Sequence, residues 1–139
     1  MPMPSKYAHA SQDFEDYIEA VLEISNLASR NQVYTMTEGV FRTFRRRLDV
    51  ASAIRFANGL PSVLAAIFIA DWDLGTPAIP FADRDAMTRE VQSLRSNHNF
   101  SPDTCIRDVA VALRRCLGGR ALDELLADLP DGAAAFWAA

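Results

Sequence analysis

The strongest constraint on this chain is that it overlaps itself. Sliding it by 69 residues lays positions 34–70 on positions 103–139 without a gap, and 10 of the 37 positions are identical. Ordinary composition would give about two or three matches by chance. The identities include Arg45–Arg46 with Arg114–Arg115, Leu48 with Leu117, and Leu60–Pro61 with Leu129–Pro130. Similar apolar pairs fill the rest, such as Phe44 with Leu113 and Phe68 with Trp137. A unit of this size cannot bury its apolar face alone, so two copies are expected to pack around one core.

The period inside each copy is helical. Phe14, Tyr17, Ile18, Val21 and Leu22 recur at three and four residues and define one apolar face. Ser11 or Asp13 can cap that helix. A second helix is predicted over residues 31–48, with Met36, Val40, Phe44 and Leu48 as its stripe. Asp49 reads as the cap of a short helix that ends at Gly59, and Pro61 opens a fourth helix reaching about Asp71. Gly75, Pro77 and Pro80 then forbid continuous helix. Helices are predicted again over residues 83–96, from Ser101 to Leu117, and in two short pieces, 120–128 and 130–137. No alternating strand pattern appears. The expected fold is all-α: two pseudo-repeats of about four helices (long, long, short, short) in one bundle. Residues 1–12 are expected to be a flexible segment, 13–72 the first repeat, 73–81 a linker and 82–139 the second repeat.

Composition removes several classes. Half of the 139 residues are hydrophobic and the formal charge is −4, which suits a folded domain and not a disordered one. The longest apolar run, residues 60–70, is far short of the ~18 residues of a membrane span. No apolar signal region opens the chain, so the expected location is cytoplasmic. Cys105 and Cys116 fall in one predicted helix, about 16 Å apart by helical rise, beyond the reach of a disulfide. They are read as buried free thiols. His9 and His98 are isolated, and neither they nor the cysteines have metal-ligand spacing.

The segments FRRRLDVASAIRFANGLPSVLAAIFIADWD (residues 44–73) and DELLADLPDGAAAFW (residues 123–137) resemble a bacterial helical family, domain-of-unknown-function family 2267. The likeness runs from about Asp13 to Trp137. It implies a two-repeat helical domain of bacterial origin. It brings no catalytic or binding residues with it. Gly39 inside the second helix and the alanine-rich tail are the small departures.

The arginines carry the one candidate site. Arg42, Arg45 and Arg46 share a helix face, and the pair Arg45–Arg46 recurs as Arg114–Arg115. Two such pairs on related helices can converge on a phosphate or carboxylate through forked guanidinium contacts. A solvated face paired with the acidic first helix and tail is the plainer reading. An isoelectric point near 5.1 and the lack of interleaved aromatics count against nucleic acid. Trp72 is a core lid or an exposed anchor for a partner. The apolar tail from Ala133 is expected to need a cover, such as a second copy. Neighbouring acids such as Asp13 and Asp16, or Asp71 and Asp73, read as caps and linker residues rather than a catalytic pair. Gly118–Gly119 ends a helix rather than cradling phosphate, and Ser62 lacks a nucleophile elbow. The sequence thus points to a non-enzymatic protein-interaction module, with a second copy (a homodimer) or an unknown protein as its partner. No cofactor and no catalytic or metal residue is expected. The alternative is an anion or small-ligand binder using the arginine pairs between the repeats.

Overall fold

The computed structural model describes residues 2–139. Among them are nine α-helices and no strand: α1 (Ser5–Ala8), α2 (Ala10–Ile24), α3 (Arg30–Arg45), α4 (Val50–Asn58), α5 (Ser62–Ile69), α6 (Arg84–Ser93), α7 (Cys105–Leu117), α8 (Gly119–Ala127) and α9 (Ala133–Phe136). They form a compact all-helical bundle. No helix among the described residues is long and apolar enough to cross a membrane.

Side-chain caps set three of the helix starts. The side chain of Ser29 accepts from the Gln32 amide, that of Asp49 from Ser52 and that of Asp83 from Ala86, each satisfying an amide that the helix start leaves free. Other ends differ from the sequence expectation. Helix is present from Ser5, upstream of the apolar stripe, and neither Ser11 nor Asp13 caps α2, which begins at Ala10. Ser101 does not start α7. Its hydroxyl and amide turn to Asn99, and α7 begins at Cys105. Gly59 does end α4, but its φ of −86° is that of any residue. Its value there is space, because a Cβ would sit 2.6 Å from Leu125.

The third helix is the axis of the bundle. Eleven of its 16 residues are buried, so it is covered nearly all round rather than along one stripe. It packs chiefly on α6, while α2 packs chiefly on α7. Gly39 permits the first of these contacts, since a Cβ there would lie 3.0 Å from the Val91 backbone and side chain. At the centre sits an aromatic cluster around Phe44. Its ring lies 5.0 Å from Phe56, 4.9 Å from Phe136 and 5.3 Å from Trp137. The last two belong to the tail. The alanine-rich end therefore needs no outside cover, because it is itself the lid: Phe136 and Trp137 are fully buried.

One turn holds that lid in place. Gly132 has a φ of +99°, and a Cβ there would meet the Phe81 ring at 2.7 Å. Gly132→Ala is expected to cost about 1–3 kcal/mol through left-handed strain and overpacking. Urea denaturation followed by circular dichroism reads this directly. A loss below about 0.5 kcal/mol, the range of ordinary surface changes, would contradict it.

The cysteines divide. Cys105 is buried, and burial pushes its thiol up to about 11. Cys116, expected to be a packing residue, is exposed near the end of α7. They are both unpaired, as the helix spacing requires.

Candidate functional site

The arginines of α3 leave that helix in different directions. Arg45 is buried. Its guanidinium donates to the Phe68 carbonyl at 2.8 Å and the Ala70 carbonyl at 2.9 Å. It thereby satisfies the C-terminal end of α5, which carries no basic residue of its own in the last turn. The same group lies over the Trp72 ring at 5.2 Å. Burial, then the neighbouring Arg42, lowers its pKa from the ordinary guanidinium value. Arg47 is equally buried and holds Glu90 through two bonds, at 2.7 and 3.2 Å, while also donating to the Thr43 carbonyl.

Arg42 and Arg46 are less committed. Arg46 is half exposed and reaches Glu90 at 3.1 Å. Arg42 spans Glu38 and Asp71, both at 3.5 Å, the outer limit of a hydrogen bond. Glu38 is a buried carboxylate on α3 that accepts from the Tyr34 hydroxyl at 2.9 Å, and this bond raises the Tyr34 pKa. Its other oxygen faces Arg95 at 3.4 Å and has no hydrogen bond. Arg95 comes from the turn after α6. Asp71 and Arg95, with φ of 54° and 51°, are the two non-glycine residues in the left-handed region among those described. Both end on this one network. Each stands just past a helix end, α5 and α6 respectively, where left-handed backbone is a common stop.

Two recesses open beside these groups. One, of about 290 Å³, lies between α3 and α6 and is lined by Gly39, Arg42, Arg46, Glu90, Ser93 and Arg95. The other, of about 190 Å³, is lined by Arg45, Arg46, Asp71, Trp72 and Asp73. Arg42, Arg45, Arg46 and Trp72 are thus brought to one edge of the bundle.

The second arginine pair sits elsewhere. Arg114 donates to the Trp137 carbonyl at 3.2 Å and to Asp123 at 2.9 Å. Arg115 pairs with Glu23 at 2.6 Å and lines a third recess of about 560 Å³ with His9, Asp13, Asp16 and Cys116. Although the residue is exposed, partial desolvation of its thiol and then the nearby Asp16 raise the Cys116 pKa, the direction that makes a thiol a poorer nucleophile. Among the described residues no group of three or more His, Cys, Asp or Glu side chains is arranged to hold a metal ion.

Sequence reasoning missed Glu38, Glu90 and Arg95. Glu38 and Arg42 stand at i and i+4, a pairing visible in the sequence. Glu90 and Arg95 reach α3 only through the α3–α6 packing, and no local pattern reports that. Asp71, read as a linker acid, is the exposed partner of Arg42.

No curated protein matches the chain. A family model does, over residues 14–136, nearly the whole bundle. The all-helical fold agrees with the likeness carried by the arginine-rich, Leu-Pro and Trp-Asp segments, and the chain belongs to the family described as "Uncharacterized conserved protein (DUF2267)".

Proposed function

We propose that the chain is a non-enzymatic protein-interaction module, built from a duplicated helix set, that docks through the edge where α3 meets the end of α5. The observation that carries this is an apolar group standing beside partly exposed cations. Ile69 is 48% and Leu74 64% exposed, and they flank the partly buried Trp72. Arg46 lines the same recess as Trp72, and Arg42 reaches the adjacent Asp71. Trp and Arg are the residues most enriched among interface hot spots. Trp72 is held by the Arg45 guanidinium above its ring, so little freedom is lost when it docks.

The duplication reading has support of its own. Arg45 bonds the Phe68 carbonyl and Arg114 the Trp137 carbonyl, and these pairs coincide under the 69-residue shift. The main helix pairings, α2 with α7 and α3 with α6, each join one copy to the other.

A second copy of the chain is the first partner to test. Light scattering on a sizing column at high micromolar concentration is expected to give twice the 15.4 kDa of one chain. Leu74→Asp, at an exposed loop position, is expected to return it to a single chain. A wild-type monomer at that concentration would exclude the homodimer.

A second reading, an anion or small-ligand binder, is favoured by the arginine-lined recess between α3 and α6. The two arginine pairs do not converge there: Arg46 lines this recess, Arg45 lines the neighbouring one, and Arg115 lines the recess beside α2.

A further inference from the structure

We propose that the recess between α3 and α6 is a receptor for a small tetrahedral dianion, inorganic phosphate or a phosphate monoester, gripped by Arg42, Arg46 and Arg95. This rests on the anion reading and sharpens it, and it does not depend on a protein partner.

The recess has unspent donors. A guanidinium carries five N–H groups. Among the described residues, Arg42 commits only its Nη2, to two contacts at 3.5 Å, and its Nη1 makes no hydrogen bond. Arg95 has a single ion pair, at 3.4 Å, with a Glu38 oxygen that itself has no hydrogen bond. These groups stand near one another without satisfying one another. An oxyanion with three or four acceptor oxygens would supply the acceptors that the guanidiniums lack, through charge-assisted bonds.

Charge agrees with this. Four guanidiniums (Arg42, Arg46, Arg47 and Arg95) meet two carboxylates, Glu38 and Glu90. The surplus is two positive charges, or one when the exposed Asp71 on the far side of Arg42 is counted. Glu90 lies in the recess, but Arg47 holds both of its oxygens and Arg46 one, so its charge is already matched. Size agrees as well. About 290 Å³ is at the small end of ligand pockets, suited to an oxyanion or a short ester. Gly39 lines this recess, and its lack of a side chain lets Val91 of α6 pack against α3 beside it. Finally, Arg95 stands in the left-handed turn just past the end of α6, and from there its guanidinium reaches back to Glu38 of α3.

The test is calorimetric titration of the full chain with inorganic phosphate and, separately, with methyl phosphate, each against a chloride control of equal ionic strength. One saturable event per chain is expected. Arg42→Ala and Arg95→Gly should each weaken it about tenfold or more, as expected when one charge-assisted hydrogen bond is removed. Arg95→Gly removes the cation while relieving the left-handed backbone, so the fold is not at risk in that variant. Arg115→Ala, at the distant recess, should leave binding unchanged. Tighter binding of either phosphate or the ester supports the site and identifies the source. Binding that survives both Arg42→Ala and Arg95→Gly, or that is abolished by Arg115→Ala instead, overturns this recess while leaving the anion reading standing. No saturable heat beyond the chloride control overturns both.

Discussion

Trp137→Ala is expected to lower the stability of the chain by about 3–5 kcal/mol, the cost of emptying an aromatic site that cannot collapse. A domain of this size has roughly 5–15 kcal/mol in all. The indole is fully buried and touches rings from three other elements: Phe41 and Phe44 of α3, Phe56 of α4 and Phe136 of α9. The Phe56 contact is stacked and the others are edge-on, arrangements that add to simple burial. Trp137→Phe should cost far less, about 1–2 kcal/mol. The phenyl ring fills most of the space, and it removes an Nε1–H that is buried without an acceptor. Urea unfolding followed by far-ultraviolet circular dichroism separates the two variants. Equal losses for alanine and phenylalanine would mean that the tail does not close the core.

The second large effect should fall on Arg45 and spare its neighbour. Arg45→Ala leaves the Phe68 and Ala70 carbonyls without their donor at the end of α5 and releases Trp72. Breaking a buried charge-assisted interaction of this kind costs about 2–4 kcal/mol. Arg46→Ala removes a half-exposed ion pair with Glu90, which Arg47 continues to hold, and should cost about 0–1 kcal/mol. Arg45→Lys should rescue only part of the loss, since a point ammonium does not reproduce a planar fork that reaches two carbonyls and stacks on a ring. Thermal melts of the three variants decide the matter. If Arg45→Ala and Arg46→Ala lost the same stability, Arg45 would not be a tie within the fold.

These two arginines show how far the sequence can be read. They are adjacent, identical in chemistry and repeated together 69 residues later, so the sequence offers them as one unit. The fold separates them, because adjacent positions on a helix point about 100° apart and α3 is covered on nearly every side. Helix content and most starts are legible, since the apolar period, Asp49 and Asp83 act locally. Gly59 ends α4 as the sequence suggests, but what it supplies there is room for Leu125, which the sequence does not report. The start of α7 is not, because Ser101 has a nearer partner in Asn99. The recess between α3 and α6 is not legible at all. It depends on Gly39 admitting Val91, and on Glu90 and Arg95 arriving from a distant segment.

The pairing of α2 with α7 and of α3 with α6 has a consequence for how the protein is made. The Glu23–Arg115 ion pair closes a loop whose ends are 92 residues apart, so α7, the chief partner of α2, leaves the ribosome long after α2 does. Tyr17 meets Thr37 of α3 within 20 residues, but at roughly 5–20 residues per second the part of α2 that packs on α7 waits on the order of 5–20 s with its apolar surface bare. The carboxylates of Asp13, Glu15, Asp16, Glu19 and Glu23 travel on the same helix. Their mutual repulsion keeps nascent chains on one polysome apart through that interval.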